Sequence, residues 1–177
     1  MSYRTGSRDS ATGFAFVEDL ADRLTARVQI TSDGYPVYER AIRDIFDWTG
    51  PGVDYGRIVK IYGNPVGPGR YSPPVLLSAE KESVMGNPDE QHISTSLVER
   101  QNLHMRMQMR RFTRLTNAFS KKLEYHMYAI ALHYTYYNFC HVHSTLSKQA
   151  GRKTTPAMAA GLATAPWTVE DILALLQ

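Results

Sequence analysis

The front half of the chain alternates between two kinds of apolar pattern. From Ala11 to Leu24 apolar side chains recur at steps of three and four residues, which predicts an amphipathic helix. Arg27–Thr31 alternates and is rich in β-branched residues, which predicts a short strand. The same two patterns then recur, and they predict a second helix over Pro36–Phe46 and a second strand over Arg57–Tyr62. This alternation favours an α/β fold with a short parallel sheet.

The pattern changes between Gly63 and His92, where four glycines and five prolines interrupt any periodicity. We expect a loop over residues 63–92, either functional or a disordered surface insertion. It separates an α/β part, residues 1–62, from a helical part, residues 93–177.

The back half predicts helices. Ser96 followed by Glu99 fits a capping box, and the helix that it starts should continue to Arg110. An apolar stripe predicts a second helix over Lys122–Phe139, and its Met and Tyr side chains are interpreted as core packing. A short last helix is predicted over Val169–Leu176.

Composition narrows the class of protein. The chain has 177 residues, of which 43% are hydrophobic and 21% charged, so it fits one globular domain or one domain with a tail. We expect no membrane partner, because no apolar run approaches the roughly 18 residues that span a bilayer. We expect no secretory signal, because the N-terminus, Met1–Gly6, has no apolar segment. A single cysteine, Cys140, favours a reducing cytoplasm.

Charge is distributed unevenly. Residues 1–90 carry 13 acidic and 10 basic side chains, whereas residues 91–177 carry 4 acidic and 10 basic ones. The back half is therefore either a binding surface for a polyanion or a solvated basic surface.

Two carboxylates are candidates for chemistry. Asp33 ends a predicted strand just before Gly34, and parallel sheets place active sites at such strand ends. Glu99 opens the most basic helix. Together they could bind Mg²⁺ or Mn²⁺ with water and phosphate, and a pair of metal ions would drive an in-line displacement at phosphorus. The structural alternatives are an Asp-Gly turn and a helix-capping glutamate.

A run of cations follows Glu99. Arg106 lies seven residues after Glu99, and Arg110 lies four residues further. We therefore expect all three side chains to lie on one face of the helix. These side chains would contact the backbone of a nucleic acid and give affinity rather than sequence choice. The predicted DNA-binding residues are Arg100, Arg106, Arg110, Arg111, Arg114, Lys121 and Lys122.

Histidines near Cys140 offer a weaker alternative. His141 and His143 flank it on one side, and His126 and His133 precede it, but no CxxC or HExxH spacing accompanies them. Zinc is therefore disfavoured, and nothing marks Cys140 as a nucleophile.

The segment Ser94–Leu103 resembles the surroundings of the last catalytic glutamate in DDE transposases of bacterial insertion sequences. Further similar segments are Gln29–Gly34, Arg110–Lys122, Tyr137–Phe139 with His143 and Leu146, and Thr155–Gly161. The resemblance begins at about Arg8 and covers most of the chain.

The resemblance implies a ribonuclease-H-like fold and Mg²⁺- or Mn²⁺-dependent cleavage at element ends, followed by joining of a 3′-hydroxyl to target DNA. Asp33 and Glu99 would be the second and third members of the catalytic triad, ligands of a two-metal site. Arg106 would be the basic residue behind the glutamate. The implied partners are element ends and target DNA, with a homo-oligomer or a mixed assembly with an intact transposase, in the bacterial cytoplasm at the nucleoid.

The chain also departs from the family. The first aspartate belongs on an opening strand, and Asp9, Asp19 and Asp22 lie outside any predicted strand. We therefore expect an incomplete fold that is inactive alone. His141 replaces an expected arginine, and Ser147–Lys153 resembles a small insertion or a frameshift scar. The alternatives are a non-catalytic DNA-binding remnant that regulates an intact transposase, or a decayed reading frame that folds poorly because strand edges stay open.

Overall fold

The structure is a computed structural model that describes residues 2–48, 51–65, 74–113 and 116–175. The chain divides into two compact units, residues 1–101 and residues 102–177, here called the first and the second unit. Together the described residues form a mixed helix and strand structure with a small sheet.

The first unit alternates helices and strands, as its apolar pattern predicts. The predictions of two helices and a strand before residue 47 are confirmed within a few residues. Its elements are α1 (Ser10–Ala21), β1 (Val28–Asp33), α2 (Pro36–Phe46), β2 (Val53–Pro65), β3 (Pro74–Met85), a 3-10 turn (Glu90–His92) and the start of α3 (Ser96–Gln108).

The sheet of the first unit has the order β1-β2-β3. Strands β1 and β2 are parallel, with Val28 opposite Val53 and Asp33 opposite Ile58. Strand β3 is antiparallel to β2, so the prediction of a parallel sheet is right for β1 and β2 and wrong for β3.

Strand β3 lies inside the segment for which the sequence predicts a loop. Most of its side chains are exposed and several are charged, so the sequence of this strand has no two-residue apolar alternation. Its backbone hydrogen bonds to β2, which is itself longer than the predicted Arg57–Tyr62, define the strand instead.

Helices α1 and α2 cover one face of the sheet and form the core of the first unit. Val17 of α1, Ala41 of α2 and Tyr55 of β2 are almost completely buried. The two helices approach closely because Gly13 has no Cβ: a Cβ there would stand 2.5 Å from Val37 Cγ1.

The chain between β3 and α3 lies against the sheet. The side-chain amide of Gln29 donates to the Asp89 carbonyl at 3.0 Å, and the Asp89 N–H donates back to Gln29 at 2.8 Å. Ile93 is completely buried and packs against Gly56 of β2. These contacts fix the path of the chain into α3.

Helix α3 differs from its prediction at both ends. It begins at Ser96 itself, so Ser96 is its first residue and not its cap, and the Ser96 N–H donates to the Ser94 hydroxyl oxygen at 3.1 Å. The Glu99 carboxylate bonds to other side chains, so the predicted capping box is wrong. The helix ends at Gln108, two residues before Arg110.

The second unit is helical in its described residues. It contains the end of α3, a 3-10 turn (Arg110–Phe112), α4 (Leu123–Thr135), a π-helical turn (Tyr136–Cys140), α5 (Ser144–Ala150), α6 (Pro156–Ala159) and α7 (Val169–Ala174). The predicted second helix is confirmed as α4, except that its last turn is π-helical. The interpretation of its apolar stripe as core packing is only partly right, because Ile130 is buried whereas Leu123 and Met127 are exposed. Thr168 and Asp171 form the capping box that begins α7.

Aromatic contacts hold the segments of the second unit together. The rings of Phe139 and Trp167 are 4.3 Å apart, and the Trp167 N–H donates to the Phe139 carbonyl at 2.9 Å. Among the described residues, no helix combines the length and apolar character needed to cross a membrane.

Candidate functional site

Asp33 is the last residue of β1 and lies at the carboxyl end of the parallel strand pair. Its Oδ1 accepts the Tyr35 N–H at 3.1 Å, which stabilises the turn into α2. The side chain is exposed. The carboxylate is therefore accessible at the strand end where the sequence predicts an active site.

Lys60 lies on the neighbouring strand just beyond this point. Ile58 is opposite Asp33 in the register, and Lys60 follows Ile58 by two residues. Strand alternation therefore puts Ile58 and Lys60 on the same face of β2. Gly56, against which Ile93 packs, belongs to the same face. Lys60 thus lies on the face against which residues 89–99 pack, opposite α1 and α2.

Glu99 accepts two side-chain donors on one oxygen atom. Its Oε1 accepts the Lys60 ammonium and the Thr95 hydroxyl, the latter at 2.9 Å. The ion pair with Lys60, and then the bond from Thr95, lower the pKa of Glu99 from its ordinary value. Glu99 is therefore ionised at neutral pH and fixed to the sheet.

Glu99 acts directly on the Lys60 ammonium. The hydrogen bond to Glu99 is the largest cause that raises the pKa of Lys60, and the charges of Glu99 and, as the smallest contribution, of Asp33 add to it. Asp33 lies on the same face of the sheet as Lys60, but no hydrogen bond or ion pair between the described residues joins it to Lys60 or to Glu99. Sequence reasoning missed Lys60; the available signal was a lone cation within the apolar run Ile58–Ile61.

Carboxylates such as those of Asp33 and Glu99 are the chemical type of ligand that a divalent metal ion binds. Mg²⁺ is bound by one or two carboxylates together with water and phosphate oxygens, and both side chains here are exposed enough to offer an oxygen. Within the described residues, no three His, Cys, Asp or Glu side chains are grouped closely enough to hold a metal. The structure thus shows Asp33 and Glu99 as two exposed carboxylates on one face of the sheet, with Glu99 held by Lys60.

Several predicted DNA-binding residues meet at the start of α4. Arg111 donates to the Ser120 hydroxyl at 3.1 Å and to the Tyr125 carbonyl at 3.2 Å, which ties the 3-10 turn to the first turn of α4. Lys122 is the N-cap of α4 and its Nζ lies 5.7 Å from the centre of the Tyr125 ring. Lys121 is exposed beside it. The result is an exposed basic cluster, Arg111, Lys121 and Lys122, at the positive end of a helix.

The other predicted cations are placed differently. Arg100 is exposed on α3 in the first unit, and Arg106 is half-buried on α3 in the second unit. Arg110 lies in the 3-10 turn after α3 has ended, so the prediction that it continues the helical face of Arg106 is wrong. Arg114 lies outside the described residues.

The Cys and His residues near the end of α4 make local contacts. The Cys140 thiol donates to the Thr168 carbonyl at 3.8 Å, and burial raises the pKa of that thiol, which disfavours the nucleophilic thiolate. His141 stacks on Tyr137 with 5.7 Å between ring centres, and His104 meets the edge of the same tyrosine. These rings serve packing.

Comparison with known proteins adds no family to this geometry. No protein-family model, curated protein or solved structure matches the chain. The resemblance to DDE transposases therefore depends on the motifs around Asp33, Glu99 and the basic segment.

Proposed function

We propose that the chain is part of a DDE-type transposase with a ribonuclease-H-like arrangement, and that it acts in DNA cleavage and strand transfer. One observation carries the proposal: Asp33 lies at the carboxyl end of β1 on the same face of the sheet on which Glu99 of α3 pairs with Lys60 of β2. The resemblance assigns these two residues as neighbouring catalytic carboxylates. Strand β1 ends at Asp33 beside a parallel neighbour, as an active-site aspartate in an α/β sheet requires.

In this function Asp33 and Glu99 would hold a Mg²⁺ or Mn²⁺ ion, which would supply charge stabilisation for phosphoryl transfer. Thr95 holds Glu99 in place through its hydroxyl. The exposed Arg100, next to Glu99, would contact a flanking phosphate, and the basic cluster of the second unit would contact DNA phosphates independently; such contacts position the DNA without selecting its sequence.

The isolated chain is not expected to complete transposition. Two carboxylates fit one metal ion, whereas a symmetric in-line displacement uses a pair of ions. Displacement of reacting groups by about 1 Å can already cost 10²-fold in rate. Incubation with a supercoiled plasmid and Mn²⁺ should therefore yield no strand transfer, and efficient transfer by the wild-type chain would contradict this expectation.

DNA binding provides the decisive test. Fluorescence anisotropy of a labelled duplex, titrated with and without Mg²⁺, should show tighter binding with the metal in the wild type. Asp33→Asn and Glu99→Gln should remove that gain, whereas Asp44→Asn, an exposed carboxylate on α2, should retain it. An equal Mg²⁺ effect in all four proteins would exclude the proposed site.

A second function is a non-catalytic DNA-binding regulator of an intact transposase. It is favoured by the basic cluster, which is built entirely within the second unit. Binding that depends steeply on salt, but is unchanged by Asp33→Asn, Glu99→Gln and Mg²⁺, would support this function over strand transfer.

A further inference from the structure

The first unit has a cavity of about 280 Å³ that is lined by the segment before α1 and by residues of α1 and α2. The segment, residues 2–8, runs antiparallel along α1. The Ser2 hydroxyl donates to the Asp19 carboxylate near the end of the helix, and Gly6 lies so close to Thr12 that a Cβ would stand 2.9 Å from its Oγ1. The volume is just below the range of pockets that hold drug-sized ligands, so the cavity fits a small molecule.

Aromatic rings form one wall of this cavity. The rings of Tyr35 and Tyr38 meet edge to face with 5.5 Å between their centres, and Tyr38 meets Phe16 of α1 in the same way at 6.3 Å. Tyr3 adds a fourth ring from the segment. A nucleobase stacks on aromatic side chains of this kind whatever its identity, because every base has a π-face.

Arg8 lines the same cavity and is held by Tyr35. Its Cζ lies 4.5 Å from the centre of the Tyr35 ring, and the Tyr35 hydroxyl donates to the Arg8 carbonyl at 3.2 Å. Among the described residues no carboxylate pairs with the Arg8 guanidinium. A guanidinium that stacks on a ring keeps its N–H donors in its own plane, where they can bind two phosphate oxygen atoms at once.

The charge of the lining is positive. Arg4 contributes a second cation, and its Nε donates to the Ala15 carbonyl of α1 at 3.2 Å. Asp9 is the one carboxylate among the lining residues that the structure describes. Its Oδ1 accepts the Thr12 N–H at 2.8 Å as the N-cap of α1, so this carboxylate is already used by the helix. The cavity therefore favours an anion.

We propose that this cavity binds a nucleoside monophosphate, either free or as an unpaired residue of a single strand. The base would lie against the tyrosine rings, and the phosphate would bind Arg8. One juxtaposition carries the proposal: an aromatic wall and a stacked, unpaired guanidinium line the same small cavity. The proposal does not depend on Asp33, Glu99 or the proposed function.

The test is isothermal titration calorimetry of the full chain with thymidine 5′-monophosphate. The nucleotide should bind more tightly than thymidine or inorganic phosphate, because each of these offers only half of the contacts. Arg8→Gln should weaken binding of the nucleotide at least about tenfold, since it removes charge-assisted bonds to the phosphate. Arg40→Gln removes an exposed arginine of α2 outside the cavity, and it should leave the affinity unchanged.

Tyr38 tests the aromatic wall. Tyr38→Leu should weaken binding of the nucleotide, whereas Tyr38→Phe keeps the ring and should retain most of it. Thermal unfolding of each variant establishes that the first unit is folded. The proposal is wrong if the wild type binds the nucleotide no more tightly than inorganic phosphate, or if Arg8→Gln and Tyr38→Leu both bind it like the wild type.

A second arm distinguishes the two sources of the ligand with a labelled oligothymidylate. Displacement of the oligothymidylate by the mononucleotide, together with weaker binding of both to Arg8→Gln, would identify an unpaired residue of a strand as the ligand. A mononucleotide that binds but leaves the oligothymidylate in place would identify the free nucleotide. Either result supports the cavity as a nucleotide site, and neither requires a metal ion.

Discussion

Ile93 lies directly against Gly56, in the middle of the face of the sheet that leads to Lys60. A Cβ at position 56 would stand 2.5 Å from Ile93 Cδ1 and 2.7 Å from its Cγ1. Ile93 is completely buried and precedes the first residue of α3 by three positions. The contact therefore determines where α3 begins and, with it, where Glu99 meets Lys60.

Gly56→Ala should destabilise the first unit. The added methyl group must displace Ile93 or the strand, and overpacking of this kind costs about 1–3 kcal/mol. Gly34→Ala is the matched control, because a Cβ there would meet Val59 at an ordinary 3.5 Å. Urea denaturation followed by circular dichroism measures both, and equal stability of the two variants would contradict the packing described here.

The same substitution should also act on the site. If Ile93 moves, the start of α3 moves with it, and the double variant Gly56→Ala with Ile93→Val should recover part of the loss because it removes one methyl group at the contact. Additive rather than compensating effects in this double-mutant cycle would show that the two residues do not share the strain.

The sequence predicted the helices and β1 of the first unit well because each has an apolar face that packs on the core. It failed for β3, whose exposed and charged side chains leave only the backbone to define the strand. It identified Asp33 and Glu99 as candidates from strand-end position and motif. It missed Lys60, because its role depends on the register between β1 and β2 and on how Ile93 directs the chain.

Arg57 should stabilise the first unit by joining a helix to the outer strand. Its Nη1 donates to Glu39 of α2 at 2.6 Å, and its Nε donates to Glu82 of β3. We expect Arg57→Met to cost about 1–2 kcal/mol, since it removes charge-assisted bonds in a half-buried position. Arg57→Lys should retain only part of this stabilisation, because an ammonium cannot donate along two fixed directions.

Arg40→Met is the control for this comparison. Arg40 makes an exposed pair with Asp44 at 3.7 Å, and such surface pairs contribute less than about 1 kcal/mol. Denaturant midpoints at constant slope measure the difference. An Arg57→Met midpoint that coincides with that of Arg40→Met would reject the bridging role.

The basic cluster at the start of α4 should give DNA binding its salt dependence. Each phosphate contact contributes about 0.9 to the slope of log affinity against log salt, so Lys121→Ala with Lys122→Ala should lower that slope by about 2. Arg40→Ala, which removes one cation of the first unit, serves as the control and should leave the slope unchanged. Anisotropy across a salt series provides the measurement, and an unchanged slope in the double variant would exclude these lysines from the interface.

Arg111 should behave differently from these two lysines. Its guanidinium bonds to the Ser120 hydroxyl and the Tyr125 carbonyl, so its loss should loosen the first turn of α4 as well as weaken DNA binding. Arg111→Met should therefore lower both thermal stability and DNA affinity. Full retention of the unfolding temperature would mean that the two bonds contribute little to the fold.

His133 should make the second unit less stable in mild acid. Burial, and then the nearby charge of His104, lowers the pKa of His133 from its ordinary 6.5, and its Nε2 is buried without a hydrogen-bond partner among the described residues. The unfolded chain therefore takes up a proton at a higher pH than the folded chain. Stability should be complete above about pH 6.5 and should fall as the pH drops from there toward the lowered folded pKa.

Unfolding temperatures between pH 8 and pH 5 test this dependence. His133→Leu cannot take up a proton, so it should reduce the loss of stability across that range, even if packing around Tyr134 changes the absolute temperature. His92→Asn, a change at an exposed histidine of the first unit, should leave the loss in place. Equal pH slopes for His133→Leu and the wild type would assign the acid sensitivity to other groups.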